Sequence, residues 1–152
     1  MATYFFDSSA LAKLYHQEVG TATVDHIVQA PDNQIRISRL TVVELPSVFA
    51  IKVRTQFITR EDAQFLVRQF REDIVSGKFE VFAVREPEFA LAERLLEKYA
   101  FDFRLRTLDA IQIAVAIGLR SQEAIDHFVA SDQVLCDVAA REGFSVLNPE
   151  HA

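Results

Sequence analysis

Four carboxylates stand where a soluble protein normally places an apolar residue. Asp7 follows Tyr4-Phe5-Phe6 and precedes Ser8-Ser9-Ala10-Leu11, and Glu44 sits inside Leu40-Thr41-Val42-Val43-Glu44-Leu45. Asp109 sits inside Leu108-Asp109-Ala110-Ile111-Gln112-Ile113-Ala114, and Asp132 closes Phe128-Val129-Ala130-Ser131. A buried carboxylate is costly unless it is hydrogen-bonded, paired or bound to a metal. Four of them, spread along the chain, are expected to converge on one site. The natural partner of such a set is a hard divalent cation with oxygen ligands. The chemistry open to it is attack by an activated water, with the ion neutralising charge as it develops.

Each acid also has a plainer reading. Asp7 and Asp132 are each placed to cap a following helix, Asp132 that of Gln133–Arg141, and Asp is a favoured cap. Glu44 and Asp109 lie inside apolar helical runs, where an acid is neither cap nor solvated face. For these two the plain alternative is a buried ion pair with Arg39, Arg104 or Arg106.

Other chemistries find little support. Cys136 lies in Val134-Leu135-Cys136 with no nearby His and reads as an inert core thiol. The four His residues, at 16, 26, 127 and 151, lack metal-ligand spacing, and four glycines leave no phosphate-binding loop. An aspartyl-phosphate hydrolase also begins with an Asp after a first strand, but it usually carries a second Asp two positions on, where this chain has Ser9.

The elements that must position these acids alternate in type. Short β-rich runs are expected at Thr3–Phe6, Ile35–Ser38, Phe79–Val84, His127–Ala130 and Phe144–Leu147. They are continuous rather than strictly alternating, which suits parallel strands buried on both faces. Between them, Thr59-Arg60-Glu61-Asp62 resembles a helix start, followed by Ala63, Leu66, Val67, Phe70 and Ile74 at helical spacing and closed by Gly77. Pro87 fits the first position of another helix, and Thr107 is placed to cap a third carrying Leu108, Ile111, Val115 and Leu119. Strands alternating with helices indicate an α/β fold with a mainly parallel sheet. Ligands in such sheets bind beyond the carboxyl ends of the strands, where Asp7 and Asp132 both fall.

The chain of 152 residues, half of them hydrophobic and 13 of them Phe, has the size and core of one domain, taken as residues 1–152. A single cysteine excludes an internal disulfide framework, so a reducing cytoplasm is the default. No run approaches the roughly 18 apolar residues of a membrane span, and no membrane partner is expected. A net charge of -6 argues alone against a polyanionic partner. If several acids are sequestered around metal, the remaining surface is nearly neutral. Twelve of the 16 basic residues are Arg, the side chain suited to phosphate.

The motifs together resemble a known family. Asp7-Ser8-Ser9-Ala10-Leu11-Ala12-Lys13-Leu14-Tyr15 is similar to the opening motif of PIN-domain nucleases, in particular VapC-type toxins. Val43-Glu44-Leu45 resembles their second acidic motif, and Leu105-Arg106-Thr107-Leu108-Asp109-Ala110-Ile111-Gln112-Ile113-Ala114 resembles the third. Phe128–Asp132, followed by Ala139-Ala140-Arg141-Glu142-Gly143-Phe144, resembles the fourth and the closing helix and strand.

The resemblance implies a three-layer α/β/α fold and a Mg2+- or Mn2+-dependent endoribonuclease acting as the toxin of a toxin-antitoxin pair. The alternatives are a housekeeping RNA-processing nuclease of the same fold and a catalytically silent PIN-like binding module. Carried over by position, Asp7, Glu44, Asp109 and Asp132 are both the catalytic and the metal-binding acids. Ser9 and Ser131 become supporting or substrate-contacting hydroxyls. Two departures stand out: Ala130 occupies a position that is often Thr or Ser, and Val134 one that is sometimes acidic, with Asp137 as a partial substitute. Lys13, Arg39, Arg104 and Arg106 flank the motifs and are the expected RNA-holding rim. The aromatic-rich segment Phe49–Gly77, with Phe49, Phe57, Phe65 and Phe70, either packs a helix pair onto the sheet or forms the surface for a homodimer and a small antitoxin.

Overall fold

The computed structural model describes residues 1–152. Five strands form one sheet: β1 (Thr3–Phe6), β2 (Gln34–Ser38), β3 (Glu80–Phe82), β4 (His127–Val129) and β5 (Val146–Leu147). Their order is β3-β2-β1-β4-β5, and every neighbouring pair is parallel. The chain builds outward from β1 through β2 to β3, then crosses back to place β4 on the other side of β1. The order therefore reverses between β1 and β4, where Phe6 pairs with Val129. That gap is where open α/β sheets bind their ligands.

Seven helices cover the sheet: α1 (Ser8–Leu11), continued by a 3-10 turn at Ala12–Leu14, α2 (Thr21–Gln29), α3 (Arg39–Arg54), α4 (Arg60–Val75), α5 (Glu86–Tyr99), α6 (Thr107–Arg120) and α7 (Gln133–Arg141). Successive strand residues face opposite sides, and the core divides accordingly. Phe6, Ile35, Ile37 and Val129 pack with residues of α1, α2, α3 and α4, such as Leu11, Val24, Leu45 and Phe70. Phe5 and Phe128 pack on the other side with α5, α6 and α7, through Leu95, Ile113 and Leu135 among others. The result is three layers, α/β/α, on a parallel sheet. No helix is long and apolar enough to cross a membrane.

Local chemistry sets the helix boundaries. Thr59 and Asp62 close a reciprocal capping box at the start of α4, and Gly77 follows its end with φ +82°. Pro87 is the second residue of α5 rather than the first, since Glu86 opens the helix. Thr107 is likewise the first residue inside α6, and Arg106 holds the cap position. Along α6, Ala110, Ile111, Ile113, Ala114, Val115, Ala116 and Leu119 are all buried, and Gln112 is the one polar side chain among them. A helix apolar on nearly every side is one enclosed by its neighbours, here α5 and the sheet.

Candidate active site

Asp7 leaves the end of β1 and Asp132 stands two residues beyond Ala130 at the end of β4. The backbone at the crossover is locked, because the Asp7 N–H donates to the Val129 carbonyl at 3.0 Å. Both acids cap helices: an Asp7 oxygen accepts from the Ala10 N–H at 3.0 Å, and one of Asp132 accepts from the Leu135 N–H at 2.9 Å. The capping reading thus holds for both acids, and it does not exclude either from a shared site. A cap residue at a strand end is held by the following helix with its carboxylate beside the sheet edge.

The other two acids reach the same place from helices. Glu44 projects from the second turn of α3. Asp109 is the third residue of α6, not deep within it, so one of its oxygens faces the Arg106 N–H at 3.4 Å and the Arg106 guanidinium at 3.5 Å. The ion pair weighed for Asp109 therefore exists, and the helix dipole also favours an acid in a first turn. Neither excludes the carboxylate from the site. Asp7, Glu44, Asp109 and Asp132 all line one cleft of about 480 Å³, together with Ser8, Ser9, Arg106 and Gln112. Leu40, Val43, Val48, Ile51 and Leu108 give that cleft an apolar wall.

The electrostatics follow first from burial and then from this crowding. Asp7 is 5% exposed. Burial is the main reason its carboxyl is pushed up to about 7, the charges of Asp109 and Glu44 add to the effect, and hydrogen bonds from Ala10 and Ser9 oppose it. Ser9 Oγ lies 2.9 Å from each Asp7 oxygen and donates its one proton between them. The Asp109 carboxyl is also raised, first by burial and further by Asp132, against the opposing charge and hydrogen bonds of Arg106. Acids that resist ionising together are a site built for a cation. The donor set is all oxygen, which suits a hard ion. No three acidic, His or Cys side chains close on one point as a complete metal cage would. Any cation held here would therefore keep part of its shell of waters, as hard divalent ions bound by one or two carboxylates do.

Three polar residues that the sequence reading did not single out complete the site. Ser8 Oγ donates to Glu44 Oε1 at 2.7 Å, and Gln112 Nε2 lies 3.0 Å from the same oxygen. Gln112 Nε2 also approaches Thr41 Oγ1 at 2.8 Å and Ser8 Oγ at 3.1 Å, while the two hydroxyls are 3.1 Å apart. The signal was present as spacing. Gln112 is three residues after Asp109 and Thr41 three before Glu44, so each shares a helix face with an acid.

The structure separates several other expected residues from the cleft. Lys13 is not a rim cation. It is 3% exposed and pairs with Glu18 at 2.9 Å and Glu150 at 3.1 Å, in a network that Lys52 joins through Glu18. Its charge is consumed in anchoring the C-terminal segment. Asp137 points to solvent and accepts from Gln133 Nε2 at 2.8 Å, outside the cleft wall. The Ser131 hydroxyl is buried without a hydrogen-bond partner and also lies outside that wall, although the Ser131 N–H reaches Ser9 Oγ at 3.4 Å. Of the arginines, only Arg106 lines the cleft; Arg39 and Arg104 are exposed and make no ion pair in the chain.

A larger hollow of about 680 Å³ lies elsewhere, between α3 and α4, with Phe49, Val53 and Val67 in its lining and Arg54, Arg60, Arg68 and Arg71 around it. It holds no acid and no candidate nucleophile, so the smaller acidic cleft is the candidate chemical site. Of the segment's aromatics, Phe49 and Phe70 are buried in the core and Phe57 and Phe65 are exposed. The packing reading of that segment thus holds for Phe49 and Phe70 and not for Phe57 and Phe65.

Fold and site define a class: a three-layer parallel α/β domain with a carboxylate cluster at its strand crossover. Residues 4–141 match the family model of the PIN domain, and the chain belongs to that family. Among solved structures, FitAcB from Neisseria gonorrhoeae superposes with a TM-score of 0.68 at 17% identity, covering 98% of this chain and 99% of that one. VapC20 from Mycobacterium tuberculosis, described as a Sarcin-Ricin loop cleaving toxin, gives 0.65 at 17% identity over 93% of this chain and 95% of its own. A toxin-antitoxin complex from Klebsiella pneumoniae gives 0.63 at 16% identity over 96% and 97%. At such identities the likeness establishes a shared fold. No curated protein sequence matches the chain significantly.

Proposed function

We propose that this chain is a divalent-metal-dependent endoribonuclease, the toxin of a toxin-antitoxin pair. The observation that carries the reading is the convergence of Asp7, Glu44, Asp109 and Asp132, from four separate elements, on one cleft at the strand crossover. A silent binding module has no need to hold four acids together against their repulsion. Membership of the PIN family and a fold shared with a Sarcin-Ricin loop cleaving toxin and a toxin-antitoxin complex support the choice of reaction and partner.

Asp7 and Asp109, with Asp132 and Glu44, would hold Mg2+ or Mn2+. The ion would lower the pKa of a water and neutralise charge on the phosphate. The protein's own part is positional. Ser9 orients the Asp7 carboxylate by donating to it. Ser8 and Gln112 orient Glu44. Arg106, exposed at the mouth and only loosely paired with Asp109, is placed to meet an RNA phosphate, and exposed Arg39 and Arg104 extend the basic surface. The apolar wall formed by α3 and Leu108 narrows the water-filled part of the cleft.

The antitoxin, in this reading, docks in the hollow between α3 and α4. Its apolar lining and four exposed arginines without intramolecular ion pairs suit an apolar segment flanked by acidic residues. Exposed Phe57 and Phe65 on the same hairpin extend that surface, toward the antitoxin or toward a second copy in a homodimer. The compartment that fits is the cytoplasm, where RNA and reduced Cys136 coexist.

Cleavage of RNA titrated with Mg2+ or Mn2+, with Asp7→Asn as control, tests the activity. Metal-dependent cleavage by the wild type and a loss of roughly 100-fold or more in the variant are expected. Equal cleavage in EDTA would refute the proposal.

A further inference from the structure

We propose that Gln112 is a positioning residue of the acidic site, holding Glu44 in place by an amide hydrogen bond that ties α6 to α3 and α1. Gln112 is 2% exposed and is the single polar side chain in the buried surface of α6. Every other buried position of that helix is apolar, so packing alone gives no reason for an amide there.

The amide is oriented unambiguously by its neighbours. Nε2 lies within 3.1 Å of three oxygens: Glu44 Oε1, Ser8 Oγ and Thr41 Oγ1. Turned the other way, the carbonyl would face the Glu44 carboxylate, acceptor against acceptor. The nitrogen has two protons for three acceptors. Ser8 already donates to Glu44 at 2.7 Å, so Glu44 Oε1 is gripped by two donors from two different helices. The cost of this orientation is visible at the other end of the amide, where Oε1 is buried with no hydrogen-bond partner. All of the side chain's hydrogen bonds are therefore made through its N–H groups, toward the Glu44 cluster. Because Gln112 follows Asp109 by three residues on one helix, the same rigid element positions one acid directly and a second through its amide.

The test is a double-mutant cycle between Gln112→Leu and Glu44→Gln, read first in Mn2+ affinity of the purified protein by calorimetry. Gln112→Met, which keeps the side-chain length, accompanies Gln112→Leu as a second variant. Loss of a residue that orients a ligand is expected to weaken Mn2+ binding by roughly 10-fold or more. In the Glu44→Gln background the same replacement should cost nothing further, since its effect runs through Glu44. Rate measurements rest on the nuclease reading above and should show kcat falling with little change in KM for RNA. Unchanged Mn2+ affinity, or an equal loss in both backgrounds, overturns the proposal. Failure of both Gln112 variants to fold also overturns it and assigns Gln112 to core packing. A wild type that binds Mn2+ but cleaves no RNA refutes the nuclease reading while leaving the affinity cycle to judge Gln112.

Discussion

Replacing Asp7 by Asn should make the metal-free protein more stable at alkaline pH, although it removes the most enclosed acid of the site. Burial, with Asp109 and Glu44 nearby, pushes the Asp7 carboxyl from 3.8 up to about 7. Between those two values the folded chain keeps a proton that the unfolded chain has released, so stability falls as pH rises through that window. Above it both states are ionised and the folded state carries the full cost of a buried charge. At about 1.36 kcal/mol per pH unit, that cost is on the order of 4 kcal/mol. Asn avoids it and remains a good helix cap, able to accept from the Ala10 N–H. For a chain of this length each kcal/mol is worth about 2–4 °C, so the variant should melt roughly 10 °C above wild type at pH 8. The difference should shrink steadily below pH 7 and vanish near pH 4. Calorimetric melting in EDTA across that range measures it. A variant that melts at or below wild type at pH 8, or a difference independent of pH, would show that Asp7 is not a strained acid.

Further outcomes follow from the same geometry. Mn2+ at a hundredfold excess over its Kd should stabilise the wild type by about 2.7 kcal/mol, and Asp109→Asn should lose most of that gain; a melting temperature indifferent to metal in both proteins contradicts a cation site. Lys13→Ala breaks a buried ion-pair network and should cost on the order of 3 kcal/mol in urea unfolding without altering RNA affinity, because Lys13 faces Glu18 and Glu150 rather than solvent. Arg106→Ala should do the reverse, lowering the salt slope of RNA binding by about 0.7 on single strands while barely changing stability; an unchanged slope removes Arg106 from the interface. Reversing the charge of Arg68 and Arg71 together should weaken binding to the proposed antitoxin by at least about tenfold, and undiminished binding would move the docking surface elsewhere.

All five strands were legible in the sequence as β-rich runs, the central β1, β2 and β4 because parallel strands buried on both faces leave largely apolar runs. Their ends were less so: the run Phe79–Val84 yields only the three residues Glu80–Phe82, since an edge strand pairs on one side and ends where its single neighbour ends. The four acids were legible because each interrupts an apolar pattern. What surrounds them was not. The grip of Ser8 and Gln112 on Glu44, with the Thr41 hydroxyl bonded to both, joins three helices and shows locally only as polar residues at helical spacing. The burial of Lys13 depends on Glu150, which lies at the far end of the chain. Asp137 was expected near Asp132, but five residues of helix turn a side chain through about 500°, leaving it some 140° from the face that its cap defines.

The placement of β1 between β2 and β4 also governs when the site comes into being during synthesis. Asp7 is made well before the strand that flanks it, for its N–H is held by Val129, and Asp132 follows later still. Contacts between segments far apart in a chain are the last to become available to it. A nascent chain therefore carries Asp7, Glu44 and Asp109 without the strand that flanks the first of them or the acid that completes the set. The ribosome, itself built of RNA, is met by an assembled cleft only once β4 and Asp132 have emerged from it.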